Sequence, residues 1–245
     1  SVNGGASVDP QLVFDATGRP LIVWADDSTG NFEVYLRRFN GAAWVELAGS
    51  ATGGGVSVTA TDSVRPSVAL DPAGNPCVVW EERVSASNSE VYGRRFNGTA
   101  WVEFGAGSAT GGGISRSSMS SSAPHLSASA DTYFLCWTDA SDPYSDDETE
   151  IYGLYYNLGW REIGDRSASL GGISQNDTPS SEAGCAFGLG RLFVSWQDFS
   201  TQNWEVFVRT LLLGNPEDAP QEAAVGPGRG GLGMYRVFDN GTAGY

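Results

Sequence analysis

At 245 residues the chain is long enough to bury a sizeable core, yet it holds no apolar stretch near the ~20 residues that a membrane helix needs. Arginine supplies all 14 basic side chains against 29 carboxylates, a net charge of −15, and such a surface repels nucleic-acid phosphates and anionic lipid. The 33 glycines and 11% aromatics, with only 18% charged residues and no helical periodicity, suit an all-β chain.

The first strands are predicted at Leu12 to Asp15 and Leu21 to Trp24, two short β-branched or aromatic runs. Between them lies an Asp15-x-x-Gly18-x-Pro20 turn, in which Asp15 can accept from turn amides and Gly18 can take a positive φ. A third strand begins at Glu33, and Asn40-Gly41 turns it into a fourth around Trp44. A Gly-Ser-Ala-Thr-Gly-Gly-Gly connector then ends at Gly55. The next stretch repeats this plan: Pro66 to Trp80 matches Pro10 to Trp24, Glu90 to Glu103 matches Glu33 to Glu46, and the connector ends at Gly113. The third stretch loses the Asp-x-x-Gly turn but keeps Trp137, Glu150-Ile151-Tyr152 and Trp160. The fourth keeps Trp196, Glu205-Val206-Phe207 and Arg209, and loses the Asn-Gly turn. Near the end, Arg236-Val237-Phe238-Asp239 resembles Leu12-Val13-Phe14-Asp15.

The marker tryptophans 24, 80, 137 and 196 are 56, 57 and 59 residues apart, a period that signifies a propeller or solenoid array. The predicted fold is therefore all-β: a β-propeller-type array of four-stranded antiparallel blades, in one domain of four repeats plus an extra C-terminal strand. The repeats are placed at 8–57, 58–115, 116–174 and 175–233, and residues 234–245 are read as the start of a fifth unit or a closing strand.

Recurrence separates scaffold from site. Trp24 and its counterparts, the set Trp44, Trp101 and Trp160, and the strand arginines 37, 94 and 209 all recur, which points to packing between strands and blades. Trp-x-(Asp/Glu), at Asp26, Glu82, Asp139 and Asp198, reads as a turn or cap after the second strand. The loops between second and third strands do not recur. In the third repeat this loop is the longest and most acidic, and Asp139, Asp142, Asp146, Asp147 and Glu148 offer the oxygen ligands that calcium accepts; the competing reading is a solvated acidic loop. Tyr144 in that loop, and Phe32 and Trp204 beside Asn31 and Asn203, are candidates to stack on a sugar ring or anchor a protein. The three cysteines show no metal-ligand spacing in sequence and read as buried free thiols, with a Cys136 to Cys185 disulfide as the rival. His125, the one histidine, has no nucleophile motif around it and reads as a satisfied or solvent-facing strand residue.

Pro-x-Val-x-x-Asp-x-x-Gly-x-Pro-x-Val-x-Trp, Glu-Val-Tyr, Arg-Phe-Asn-Gly-x-x-Trp and Gly-Gly-Gly-(Val/Ile)-Ser resemble the repeats of bacterial secreted and cell-surface β-propellers. More distantly they are similar to sialidase-like and TolB-type propellers. The resemblance implies architecture more than activity. A sialidase would need an asymmetric arginine cluster and a Ser-x-Asp-x-Gly-x-x-Trp box, and the box is missing. The expected function is accordingly a non-catalytic extracellular, cell-surface or periplasmic module, not an enzyme. It would bind a protein partner or another copy through exposed strand edges, with no nucleic acid and no membrane insertion, and calcium is the one cofactor with candidate ligands. The alternatives are a carbohydrate-binding lectin and a sialidase-like glycoside hydrolase.

Overall fold

The computed structural model describes residues 3–140, 148–163, 166–169, 171–176, 178–200, 202–212 and 234–236. Sixteen strands form four antiparallel four-stranded sheets, and no helix occurs among the described residues. Blade 1 comprises β1 (Ser7–Phe14), β2 (Pro20–Asp26), β3 (Glu33–Phe39) and β4 (Trp44–Val45). Blade 2 comprises β5 (Ser63–Leu70), β6 (Pro76–Glu82), β7 (Glu90–Phe96) and β8 (Trp101–Glu103). Blade 3 follows with β9 (Ser121–Ser129), β10 (Thr132–Asp139), β11 (Glu150–Tyr156) and β12 (Trp160–Glu162). Blade 4 holds β13 (Ser180–Gly188), β14 (Arg191–Asp198), β15 (Glu205–Leu212) and β16 (Met234–Arg236). The C-terminal strand β16 is thus present, and it pairs with β15 as the outer strand that completes blade 4.

The strands follow from the local chemistry anticipated above. Gly18, at φ 77°, donates its amide to the Asp15 carbonyl, while Asp15 Oδ1 accepts from Thr17 N at 2.8 Å, which closes the first hairpin. The Asn40 side chain accepts from the amides of Ala42 and Ala43, both at 2.9 Å, and so fixes the β3–β4 turn.

First strands pack on first strands, β1 on β5, β5 on β9 and β9 on β13, and so form the inner wall of the propeller. The second strands of blades 2 and 3 each send their two faces into different blade interfaces. Trp80 packs with Leu21, Val23, Val34 and Leu36 of blade 1, whereas its sheet neighbours Cys77 and Val79 pack with Leu135 and Trp137 of blade 3. Phe134 and Cys136 in turn meet Leu192, Val194 and Trp196. The core is therefore a series of slabs between blades, each centred on a fully buried tryptophan.

Polar locks repeat along with the slabs. The Trp80, Trp137 and Trp196 indoles donate to Glu82, Asp139 and Asp198 at 2.8, 2.8 and 3.1 Å, and the same carboxylates accept from Ser63, Ser121 and Ser180 at the start of the inner strands. These acids, read in sequence as turn or cap residues, close the second strands as buried acceptors. The repeat glutamates Glu33, Glu90 and Glu150 accept from Ser57, Ser115 and Ser174, and each serine oxygen also accepts from the amide of the residue after the glutamate, from Val34 N at 2.8 Å in the first blade. The Gly-Gly-Gly-(Val/Ile)-Ser connector therefore binds the third strand. Its last glycine leaves no alternative: a Cβ on Gly113 would sit 2.4 Å from the Val91 carbonyl oxygen.

Candidate active site at the axial end

Each inner strand carries one bulge near its start. Register shifts lie at Val8/Gln11, Val64/Ser67 and Ser181/Gly184 in blades 1, 2 and 4, and opposite Cys136/Thr138 in blade 3. The bulged residues are Asp9, Arg65, Ala123 and Glu182, all at positive φ between 48° and 55°. Three are followed by proline, which has no amide to lose from the ladder and so tolerates this position. Bulges re-aim side chains. Here they set four repeat-equivalent positions around the inner wall and fill them with four different residues.

A second asymmetric position supports the first. The residue after the marker tryptophan is Ala25, Glu81, Thr138 or Gln197 in the four blades. Glu81 is only 6% exposed, although no other blade has an acid there. Its Oε2 takes the Arg65 Nη1 at 3.1 Å and the Ala123 amide at 3.3 Å, and its Oε1 takes the Ser89 hydroxyl at 3.3 Å. Asp9 Oδ2 accepts the Arg65 amide at 3.1 Å, joining blade 1 to the same group. Glu182 donates its amide to Thr138 Oγ1 at 3.2 Å. Arg83 lies 4.0 Å from Glu81 and 3.4 Å from Asp62, which in turn accepts the Phe32 amide at 3.0 Å. Asp9, Glu81 and Glu182 thus provide carboxylates on three blades, and Arg65 links the first two, its amide to Asp9 and its guanidinium to Glu81.

The pairings Ser7 with Asp26 and Asp26 with Glu33 put the β2–β3 loop at the same end of the blade as the Asp9 bulge. The candidates on those loops therefore share the end that carries the axial carboxylates. Phe32 is half-buried, and Asn31 Nδ2 is spent on Glu33 Oε1 at 3.2 Å and the Thr61 carbonyl at 2.7 Å. Trp204 is 53% exposed, tilted against Phe199 at 5.4 Å between ring centroids, with Asn203 exposed beside it. Asp139 is fully buried and belongs to the repeated tryptophan lock, bonded by Ser117, Ser121 and Trp137. Glu148 is half-buried just before β11. Asp142, Tyr144, Asp146 and Asp147 lie outside the described residues. The strand arginines hold the blades together: Arg94 and Arg209 donate to the Val56 and Ile173 carbonyls of the preceding connectors.

Neither protein-family models nor curated proteins match this sequence. Solved structures do. A protein of unknown function from Dyadobacter fermentans is similar over 86% of this chain and 66% of its own, at TM-score 0.56 and 9% identity. A Bacteroides ovatus protein provisionally named a glycoside hydrolase is similar over 89% of this chain and 73% of its own, at TM-score 0.53 and 12% identity. A structure from the GH130 family, described as mannoside phosphorylases together with glycoside hydrolases that target β-1,2 mannosidic linkages in Candida mannan, matches over 89% and 72%, at TM-score 0.52 and 9% identity.

The chain is a β-propeller. At these identities the likeness establishes fold, and the named neighbours are not of the sialidase-like or TolB types. The expectation of a non-catalytic binding or structural module, and with it the expectation of no enzyme, is overturned by neighbours that are described as glycoside hydrolases. The physical reason for the misreading is visible. The recurring strand arginines are scaffold, as their recurrence implies, while Asp9, Arg65, Glu81 and Glu182 belong to no motif and do not recur. Aligning the four repeats and looking for positions that refuse to repeat would have exposed them.

Proposed function

We propose that the chain is a glycoside hydrolase acting at the axial end of the propeller, and that Asp9, Glu81 and Glu182 are its working carboxylates. The observation that carries this reading is the break in symmetry: equivalent positions on four blades hold Asp9, Arg65, Ala123 and Glu182, next to the buried Glu81. Glycosidic cleavage needs one carboxyl group to protonate the leaving oxygen and another to activate water or attack the sugar, so it needs acids that differ in surroundings. Glu81, gripped by Arg65, Ser89 and the Ala123 amide, is the fixed carboxylate, and Asp9 on blade 1 and Glu182 on blade 4 are the accessible ones. Trp204 on the neighbouring loop is suited to stack on a sugar ring. The fold likeness to proteins described as glycoside hydrolases supports the same reading.

The test is a panel of polysaccharides and aryl glycosides with reducing-sugar or chromophore release as the readout. Asp9→Asn and Glu182→Gln alter exposed side chains, so each should keep the native melting temperature while turnover falls by about 100-fold or more. Ala123→Ser, at the fourth equivalent position, should retain activity. Turnover that is indifferent to all of Asp9→Asn, Glu81→Gln and Glu182→Gln would overturn the assignment.

A further inference from the structure

Blades 3 and 4 bring together three residues that are far apart in sequence. The His125 imidazole and the Cys136 and Cys185 thiols place one ligating atom each within 4.8 Å of one another. The blade packing makes this juxtaposition: Cys136 points away from Trp137 into the slab facing blade 4, and Cys185 enters that slab from the other side. Both thiols are buried, and His125 is half-buried above them.

We propose that His125 Nδ1, Cys136 Sγ and Cys185 Sγ form a zinc site that clamps blade 3 to blade 4. Two thiolates and an imidazole are a donor set that zinc favours over harder ions. The spacing fits as well. Cys185 Sγ is 3.6 Å from His125 Nδ1. A tetrahedral zinc with bonds of about 2.3 Å to sulfur and 2.0–2.1 Å to nitrogen separates those two atoms by about 3.6 Å. Two carbonyl oxygens border the thiols: that of His125 lies 3.5 Å from Cys185 Sγ and 3.9 Å from Cys136 Sγ, and that of Phe134 lies 3.4 Å from Cys185 Sγ.

The site also departs from its own repeat. At the positions of His125, the side chains of Gln11 and Ser67 accept the amide of the next blade's inner strand, from Val68 at 2.6 Å and Leu126 at 2.9 Å. His125 inherits that role from the Cys185 amide, but at a longer 3.2 Å. Only here does a thiol stand at the donor residue, and only here does a second thiol back it. The Cys136 thiol and the imidazole draw Cys185 below a free thiol, whereas burial pushes Cys136 up. Metal binding would release the remaining thiol protons to solvent and exchange one long amide hydrogen bond for a bond to zinc.

Cobalt is the direct probe, since a cobalt–thiolate site absorbs where the protein does not. Reduced, metal-free protein titrated with Co²⁺ should show one equivalent of tetrahedral cobalt with a sulfur-to-metal charge-transfer band, which stoichiometric Zn²⁺ then bleaches. Zinc should also raise the melting temperature, because it binds the folded chain alone. Cys136→Ser and Cys185→Ser should lose the band, and His125→Gln should weaken binding by at least the roughly 10–100-fold that even outer-shell changes cost. Cys77→Ser alters the third buried cysteine, in the neighbouring slab, and should leave the spectrum intact. The proposal is overturned by reduced native protein that gives no band or by a band that survives Cys136→Ser. It is overturned equally by isolated protein whose mass shows two hydrogens lost to a Cys136–Cys185 disulfide that stays closed when Zn²⁺ and reductant are supplied together.

Discussion

Blades 1 and 2 are nearly the same sequence in different surroundings. Trp80 is wholly buried and its indole donates to Glu82 at 2.8 Å. Trp24, its counterpart, is half-buried, stacks on Tyr35 at 5.9 Å, and has an indole N–H without a hydrogen-bond partner among the described residues. Trp101 donates to the Leu47 carbonyl across the blade 1–2 interface at 2.8 Å, whereas Trp44 is 42% exposed. Arg94 reaches the Val56 carbonyl, whereas Arg37 is exposed. On blade 1 these residues line an open groove of 720 Å³. A blade's sequence thus specifies the hydrogen bonds its face can make, but a neighbouring blade has to complete them.

The largest expected effect tests that dependence. Trp80→Ala should cost about 3–5 kcal/mol in urea unfolding, because it removes a large side chain from a packed slab and leaves a cavity. Trp24→Ala removes the same atoms from a groove wall, so its cost should be well under half of that. Equal costs would mean that each sheet stabilises its own tryptophan, and the slab description would fail.

A smaller effect sharpens the contrast within one connector. Gly111 and Gly113 both have positive φ, 55° and 70°. A Cβ on Gly111 meets nothing within 4 Å, but on Gly113 it meets the Val91 carbonyl and the Tyr92 ring at 2.4 Å. Gly111→Ala should cost about 1–2 kcal/mol for the left-handed backbone alone. Gly113→Ala should cost substantially more, since the clash is with backbone that is itself held in a ladder. Smaller again is Trp101→Phe, which forfeits one interblade hydrogen bond worth about 1 kcal/mol. Trp44→Phe should be close to neutral by the same thermal or urea measurement.

This contrast also explains what could be read from the chain alone. Period, strand order, hairpin turns and the tryptophan-centred core depend on patterns within one repeat, and Asp15, Asn40 and Gly18 signal them locally. The axial cluster depends on a bulge that turns Asp9, Arg65 and Glu182 out of the regular alternation, so period-two reasoning misplaces their side chains. Glu81 was hidden beside Glu82, whose recurring role is structural. The His125, Cys136 and Cys185 cluster arises between blades, where ligands 11 to 60 residues apart have no sequence spacing to recognise. Sites on a repeat protein are written where the repeat is broken or where two repeats meet, and a motif search sees neither.

The smallest effect concerns two acids that face each other across one pair of strands in blade 1. Asp26 pairs with Glu33 in the β2–β3 register, yet they are pushed in opposite directions. Burial works to raise Asp26, but hydrogen bonds from Asn3, Ser28 and Ser7 outweigh it and hold the group below the ordinary aspartate range. Burial also raises Glu33, and there the bonds from Ser57, Asn31 and the Thr59 amide fail to offset it. Folding linkage then fixes the signs. Asp26 contributes stability that is present above its unfolded value near ~3.9 and is lost as pH falls through its lower folded value. Glu33 contributes stability that is present below its unfolded value near ~4.3 and is lost as pH rises through its higher folded value. Asp26→Asn should therefore be most harmful near neutrality, with its deficit against native protein shrinking as the pH drops below about 4. Glu33→Gln should behave in reverse, gaining on native protein as the pH rises from about 4 toward 7, because it never has to place a charge beside Ser57. Melting temperatures of the three proteins across that range provide the check, and slopes of the same sign would show that the two carboxylates share one environment after all.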